Sequence, residues 1–446
     1  MGKTSLFSLN ASSLFNKCKY CIVSTYKRKD SHSAESGPAL YNTNNGGVHV
    51  KEHVLLASAK QLADQLIEWR RDFHRNPELG YEEVRTSGIV AEHLRSLGLD
   101  VRTEVGGTGV VGLLKGELPG PTFLLRADMD ALPIPDAKQA EYRSRVEGKA
   151  HLCGHDAHTA MLMGAAKLLA DRGLKRGNIK FMFQPAEEGG AGANAMIRDG
   201  LLEEPKVDAA AALHVSPMFK VGRVAAAKGP ASAATQSLRI KIIGRGGHAA
   251  SPHQTVDAIA IAAQVITALQ HIASRQVNPL DSVVVTIGKM SGGHAFNAIA
   301  PEAELLGTVR TLNPELREQM RGRIETIVKG VTEAFGAGYE LELKEGYPIV
   351  VNDGEMHELF ARTSEDTLGP GLWETIKPTM GGEDFSFVAR QVPAVMFRLG
   401  TRSGDETAFP VHHPSFDLDE SAMPLGAAML ASIAIRYLEE GDDPVC

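Results

Sequence analysis

Cysteine is scarce in this chain: four residues among 446, at Cys18, Cys21, Cys153 and Cys446. So few thiols in so long a sequence exclude a disulfide framework. Cys18 and Cys21 have C-x-x-C spacing, but no second pair follows at zinc-ribbon distance, which argues against a metal or redox role there. A membrane-spanning apolar run is also missing. The longest candidate, Ala258 to Leu269, is short and interrupted by Gln264 and Thr267, so it reads as a buried helix. A basic excess is absent as well. The formal net charge is -7 and the pI about 6.2, which speaks against a nucleic-acid-binding surface.

What is present is the balance of a globular protein, 43% apolar and 23% charged. The length predicts two domains, and 45 glycines suit a loop-rich α/β enzyme. Residues 1–50 stand apart. They carry six Lys/Arg against two acids, whereas the remainder sums to -11. Basic, Ser-rich and acid-poor, this segment reads either as a transit segment or as a leader without a role, and its broken apolar part favours the second. The expected compartment is cytoplasmic.

Helical spacing begins near Leu56, with Leu62, Leu66, Trp69 and Phe73 on one face. A helix is expected over 87–97, strands over 109–115, 122–126, 179–183 and 207–214, and helices near 161–170 and 193–199. Alternating strands and helices imply an α/β layer with a mainly parallel sheet. From about Lys228 the pattern changes to strand, helix, strand, strand, helix, strand (237–243, 255–272, 282–290, 303–310, 314–335, 339–345). That is the split βαβ order of a ferredoxin-like unit. A further strand is expected over 394–399. The expected architecture is a split catalytic domain (51–227 and 346–446) interrupted by an inserted α+β domain (228–345).

Four segments carry metal-binding chemistry. Cys153-Gly-His155 places a thiolate and an imidazole on a glycine-containing loop at a helix start, where the helix N-terminus lowers a thiol pKa. By itself this C-x-H is weak. The strand over 179–183 then runs into Glu187-Glu188-Gly189-Gly190, and adjacent carboxylates at a strand end are costly unless a cation or a catalytic task offsets them. One of the pair can hold a metal while its neighbour faces the water to be activated. His214 ends another buried strand, and His412-His413 lie in a loop after the strand over 394–399. Cys, Glu and His from separate segments suit one or two borderline divalent ions with open positions.

These residues sit in motifs that resemble subfamily D of the M20 metallopeptidases over most of the chain, about Leu66 to Leu438. The motifs are His74-Arg-Asn-Pro-Glu-Leu-Gly80, Arg126-Ala-Asp-Met-Asp-Ala-Leu-Pro133, His151-Leu-Cys-Gly-His-Asp-Ala-His158, Gln184-Pro-Ala-Glu-Glu-Gly-Gly190, Gly247-His-Ala-Ala-Ser-Pro252, Gly381-Gly-Glu-Asp-Phe-Ser386 and His412-His-Pro414. The subfamily includes indole-acetyl-amino-acid hydrolases, hippurate hydrolases and other N-acyl-amino-acid amidohydrolases.

The resemblance implies a hydrolase acting on acetyl, benzoyl or indole-acetyl amino acids, with a dipeptidase or carboxypeptidase as the alternative. It implies two divalent ions per subunit, zinc or manganese, with nickel and cobalt as further options. Cys153 is implied as a bridging ligand, and His155, Glu188, His214 and His412 as the others. His413 falls at a variable position. Glu187 is implied as general base. In the inserted domain, implied as lid and homodimer or higher homo-oligomer interface, His248, Asn297 and Arg310 match substrate-contacting positions. His248 has a second reading as a local cap. Asp128 and Asp130 read either as residues orienting the ligands or as turn caps. Asp136 stands where Glu is usual, and Ser216 where Trp is frequent. Neither membrane nor nucleic-acid partners are expected. A metal-stabilised binding protein without turnover would lack a ligand or Glu187, and neither is missing.

Overall fold

Apolar side chains on both faces mark the strands of a covered sheet, and Phe123, Leu124 and Leu125 are all fully buried. The structure is a computed structural model that describes residues 49–440, with side chains from Val54 onward. The leader up to residue 48, the Cys18/Cys21 pair and Cys446 therefore lie outside the described residues. Eight strands form the main sheet. From one edge to the other they are Asp100–Val105, Gly109–Lys115, Arg176–Gln184, Leu118–Asp128, Ala209–Lys220, Ala394–Arg402, Val224–Ala227 and Trp373–Ile376. The four central strands are mutually parallel, and antiparallel pairs flank them on both sides. Asp128 is in register with Gln184, and His214 with Arg398. The carboxyl ends of the parallel strands thus line up at one edge, where open α/β sheets place their sites.

The helices His155–Arg172 and Met423–Glu440 cover one face together. A Cβ built on Gly426 would come within 2.1 Å of the Met161 sulfur, so the two helices pack closely here and a larger residue would force Met161 to move. The segment Glu420–Glu440 is long and apolar enough to cross a membrane by length and composition alone, yet 83% of its apolar window is buried inside the fold. Its hydrophobicity is that of a core helix.

The second sheet has the order Val283–Gly292, Glu302–Thr311, Ala234–Ile243, Gly338–Glu345, all antiparallel. With helices Ala258–His271 and Pro314–Ala334 it forms the split βαβ unit. Asp257 caps the first helix by accepting from the amides of Ile259 and Ala260, and Asn313 caps the second through Leu316. Ile240, Val265, Leu305 and Ile324 belong to a core cluster distinct from that of the main sheet. The chain passes in and out of this sheet at neighbouring points. Thr235 donates its amide to the Tyr347 carbonyl at 2.9 Å, and its hydroxyl oxygen accepts the Tyr347 amide at 2.9 Å.

The structure departs from the sequence expectations in a few places. Helix begins at His49, before the expected start near Leu56, and breaks at Leu62. Asp100–Val105 was not anticipated because it is an exposed edge strand with no apolar alternation. Val224–Ala227 and Trp373–Ile376 are too short to show a period.

Because the second sheet has its own core, damage there should stay local. Leu305→Ala should lower unfolding stability by about 2–5 kcal/mol in a denaturant titration. Divalent-metal affinity should remain at the wild-type value. A loss of metal affinity equal to that of a ligand variant would show that the two cores are not separable.

Candidate active site

The loop ahead of helix His155–Arg172 is shaped by Gly154, whose φ of 93° lies in the left-handed region. A Cβ there would meet Val215 at 2.4 Å, so the close turn into the helix requires glycine. The turn aims Cys153 and His155 at the strand end that carries His214. Cys153, His155 and His214 bring one donor atom each within 4.8 Å of one another, and so do Cys153, Glu188 and His412. Cys153 is common to both trios. The Cys153 sulfur lies 3.5 Å from His214 Nε2, and His412 Nε2 lies 3.0 Å from Glu188 Oε1. His412 adopts a φ of 69°, rare outside glycine, and its amide donates to the Leu152 carbonyl at 2.7 Å. This ties the loop of His412 to the loop of Cys153. His413 points elsewhere, stacking on Phe409 with ring centroids 4.6 Å apart.

Hydrogen bonds behind the cluster fix the tautomers. His155 Nδ1 lies 2.9 Å from the Asp130 carbonyl oxygen, to which it donates, so Nε2 is the nitrogen left toward the cluster. His214 Nδ1 donates likewise to the Val215 carbonyl at 2.7 Å, which leaves Nε2 facing Cys153. His158 differs. Its Nε2 accepts the Val215 amide and its Nδ1 donates to Asp128 at 2.6 Å, so both nitrogens are used and none remains for a metal. Asp130 Oδ2 accepts the Glu188 amide at 2.9 Å. The Asp130 side chain thus bonds to His155 and the Glu188 amide, and the Asp128 side chain to His158.

Arg126 closes the network. Fully buried, it donates to Asp128 at 2.6 Å, Gln184 at 2.8 Å, Glu383 at 2.9 Å and Asp384 at 3.2 Å. Farther back, Arg70 donates to Asp156 at 3.1 Å and Asp417 at 2.6 Å, and His74 lies between Asp156 and Asp136 at 2.7 and 3.1 Å. Asp136 also accepts the amides of Lys138 and Ser144, so the shorter acid is fully engaged.

Glu187 is buried, and its carboxylate lies within 4.8 Å of donor atoms of His155 and Glu188, and likewise of Glu383 and Asp384. Burial, then Glu383, Asp384 and Glu188, push it well above the usual carboxylate range. Burial pushes the Cys153 thiol up to about 12. Burial pulls His155 down, but Asp128, Cys153 and Asp130 override it and raise the imidazole well above its ordinary value. Each shift has the same origin, an excess of negative groups out of water.

The donor set answers whether a metal fits. His155 Nε2 is buried with no hydrogen-bond partner, Glu188 Oε1 is buried against His412 Nε2 at 3.0 Å, and both belong to the trios. Buried donor and acceptor atoms left unpartnered are costly, and a divalent cation among thiolate, imidazole and carboxylate satisfies them.

The comparisons with known proteins agree with this reading. The profile of peptidase family M20/M25/M40 matches residues 124–436. The chain belongs to this family. The M20 chain is 40% identical over 412 residues to IAA-amino acid hydrolase ILR1-like 4 of Arabidopsis thaliana, covering 90% of this chain and 93% of that one. It is 39% identical over 384 residues to thermostable carboxypeptidase 2 of Saccharolobus solfataricus, covering 85% and 96%. Among solved structures it resembles a dinuclear metal binding M20 peptidase of Bacillus subtilis, with 33% identity, a TM-score of 0.74, and coverage of 85% and 99%. The M20 chain is a hydrolase, and its mixed α/β fold is the one the alternating strands and helices implied.

Of the remaining sequence candidates, Arg310 lies on the second sheet and His248 and Asn297 at a separate two-stranded ribbon. His248 and Ala298 pair across a two-stranded ribbon, and the Asn297 carbonyl accepts the Ala249 amide at 3.1 Å. His248 Nδ1 accepts the Ala250 amide at 3.0 Å, which is the local cap. Among the described residues no hydrogen bond joins His248 or Asn297 to the Cys153 cluster. Arg310 is closer to the main sheet, donating to the Met380 carbonyl at 3.3 Å beside the loop of Glu383. Arg398 escaped the sequence reading. It lies in register with His214, and its charge acts on Glu383, Cys153 and Glu187. The available signal was an arginine inside the apolar run Ala-Val-Met-Phe-Arg-Leu.

Asp130→Asn should weaken divalent-metal affinity about 10–100-fold, because the variant amide no longer orients His155 and Glu188 as a carboxylate does. A competition titration with a chelating dye measures this. Wild-type affinity would remove Asp130 from the orienting role.

Proposed function

We propose that this M20 hydrolase cleaves the amide bond of small N-acyl amino acids whose acyl group is of the acetyl, benzoyl or indole-acetyl type. The observation that carries the reading is the pair of donor trios sharing Cys153, with the buried carboxylate of Glu187 beside them. Two divalent ions held by Cys153, His155, Glu188, His214 and His412, with zinc or manganese favoured and nickel or cobalt as options, would polarise the scissile carbonyl and lower the pKa of water toward neutral. Glu187 accepts the proton of the attacking water and delivers it to the leaving amine. Its surroundings suit the first step, since burial and three acidic neighbours favour the protonated form it takes midway. Arg310 pairs with the substrate carboxylate through its forked guanidinium, while His248 stabilises the developing oxyanion and Asn297 binds the substrate beside it. His248 and Asn297 lie on an exposed ribbon, which suits contact made when the second sheet closes on the main one or when two subunits pair through it.

The similarity to an IAA-amino acid hydrolase favours the amidohydrolase reading. The similarity to a carboxypeptidase supports a second reading with the same residues, cleavage of peptide bonds next to a free carboxylate. A panel of acetyl amino acids, hippurate, indole-acetyl conjugates and free dipeptides, run on enzyme stripped of metal and reloaded with zinc, manganese, nickel or cobalt, separates them. Turnover should vanish on stripping and return on reloading, with N-acyl amino acids above dipeptides in kcat/KM. A preference for dipeptides would favour the second reading.

Glu187→Gln should retain the wild-type metal content and lose about 10²–10⁴-fold in kcat, the usual contribution of a general base. Metal analysis and steady-state kinetics on the same preparation test both halves. Wild-type turnover would dismiss Glu187 from this role.

A further inference from the structure

The turn that carries Glu187 is held by more than its own backbone. Ala186 and Ala191 both have positive φ, 49° and 56°, so the segment between them is a conformation that an unassisted chain avoids. Four side chains grip it. The Glu83 carboxylate accepts the Ala186 amide at 2.8 Å, Asp130 accepts the Glu188 amide at 2.9 Å, and the Tyr81 hydroxyl donates to the Gly190 carbonyl at 2.7 Å. The fourth is Tyr347. Its phenol donates to the Glu187 carbonyl at 2.5 Å and accepts the Ala191 amide at 3.2 Å. Together with the Gly189 amide at 2.7 Å, it uses both lone pairs of the Glu187 carbonyl.

Tyr347 differs from the other three in origin. Glu83, Tyr81 and Asp130 lie in the segments leading to the main sheet. Tyr347 lies two residues after the last strand of the second sheet, Gly338–Glu345, where the chain returns. Its amide and carbonyl are both bound to Thr235 at the outgoing crossing, and the Gly346 amide binds the Thr235 carbonyl at 2.9 Å. A Cβ on Gly382 would meet Thr235 at 2.6 Å and Tyr347 at 3.5 Å, so the loop bearing Glu383 and Asp384 packs against the same point. The position of the double crossing therefore reaches the main chain of residue 187 through one hydroxyl group.

We infer that Tyr347 is a positioning residue for Glu187, linking the crossing between the two sheets to the placement of the base. The inference rests on the reading of Glu187 as general base. Tyr347 acts through the carbonyl of that residue and need not touch substrate. Movement of the second sheet relative to the main one would pull first on this hydrogen bond, so base placement would follow the position of that sheet.

Tyr347→Phe isolates the hydroxyl, since the ring keeps its edge contact with Phe387 at 6.1 Å between centroids. The expected result is a fall in kcat on the order of tenfold, the weight of one buried hydrogen bond. KM for the best substrate of the panel and metal content should stay within about twofold of wild type, because neither substrate contacts nor candidate ligands are touched. The double variant Tyr347→Phe with Glu187→Gln, assayed at high enzyme concentration, should turn over no more slowly than Glu187→Gln alone, since the hydroxyl acts through a base already removed. An unchanged kcat in Tyr347→Phe beside an inactive Glu187→Gln would overturn the inference and leave the base reading standing. A change confined to KM, or an equal loss of kcat in both backgrounds, would also overturn it. Wild-type turnover in Glu187→Gln would defeat the base reading and this inference with it.

Discussion

One buried guanidinium holds the site together. Arg126 spans from the end of its own strand to Gln184 on the neighbouring strand and to Glu383 and Asp384 in a loop almost 260 residues away in sequence. Its planar fork suits it to several acceptors at once, and an ammonium could not satisfy all four. Removing the guanidinium would leave buried carboxylates uncompensated, at a cost of about 3–5 kcal/mol. The arrangement is therefore costly to form and costly to disturb, which suits a site whose geometry must not drift. Asp128, steadied by Arg126, steadies His158, and His158 in turn accepts the Val215 amide next to His214.

The adjacent acids Glu187 and Glu188 experience different surroundings one residue apart. Glu188 turns toward His412 and keeps some exposure, while Glu187 is buried against Glu383 and Asp384. The left-handed residues on either side let the two carboxylates approach one site, because a regular strand would send adjacent side chains to opposite faces. Gly192 shows how tight the turn is: a Cβ there would overlap the Pro185 carbonyl oxygen at 1.7 Å. The backbone strain is offset by hydrogen bonds from four side chains, so the chemistry of the turn depends on residues far from it in sequence.

Much of the fold was legible because hydrophobic periodicity is strong where elements are buried. The strand at Gly109–Lys115 and the helix starting at Pro314 emerged at the expected positions, whereas the exposed edge strand at Asp100–Val105 carries no period to read. The cluster around Cys153 was legible for another reason: its residues are chemically distinctive and lie at strand ends and loop tips, where composition betrays them. Arg126, Tyr347 and Arg398 were not legible as parts of the site. Their types are ordinary, and only three-dimensional packing reveals which carboxylate or carbonyl each one meets. The same limit applied to Asp128 and Asp130, for which sequence left capping and orienting equally open. The bonds to His158, His155 and the Glu188 amide decide between them.

Charge balance explains why such a site can exist within a folded core. Asp128, Glu187, Glu383 and Asp384 are buried around Arg126, with Arg398 nearby. The protein's own cations do not neutralise this group, whose net field is negative, and burial, aided by Glu383, holds a proton on Asp384 up to about 8 against the pull of Arg126. A protonated carboxyl relieves that field by one unit of charge, while a divalent cation would relieve it by two and also meet the ring nitrogens of His155 and His214 that face the same space. Binding of cations and deprotonation of the thiol are then one linked event, since a thiolate at Cys153 is disfavoured by burial until positive charge stands beside it. The fold thus ties these groups to the cations: the burial that holds the thiol protonated and Glu187 above its usual range also supplies low-dielectric surroundings in which a bound cation would act strongly on the groups beside it.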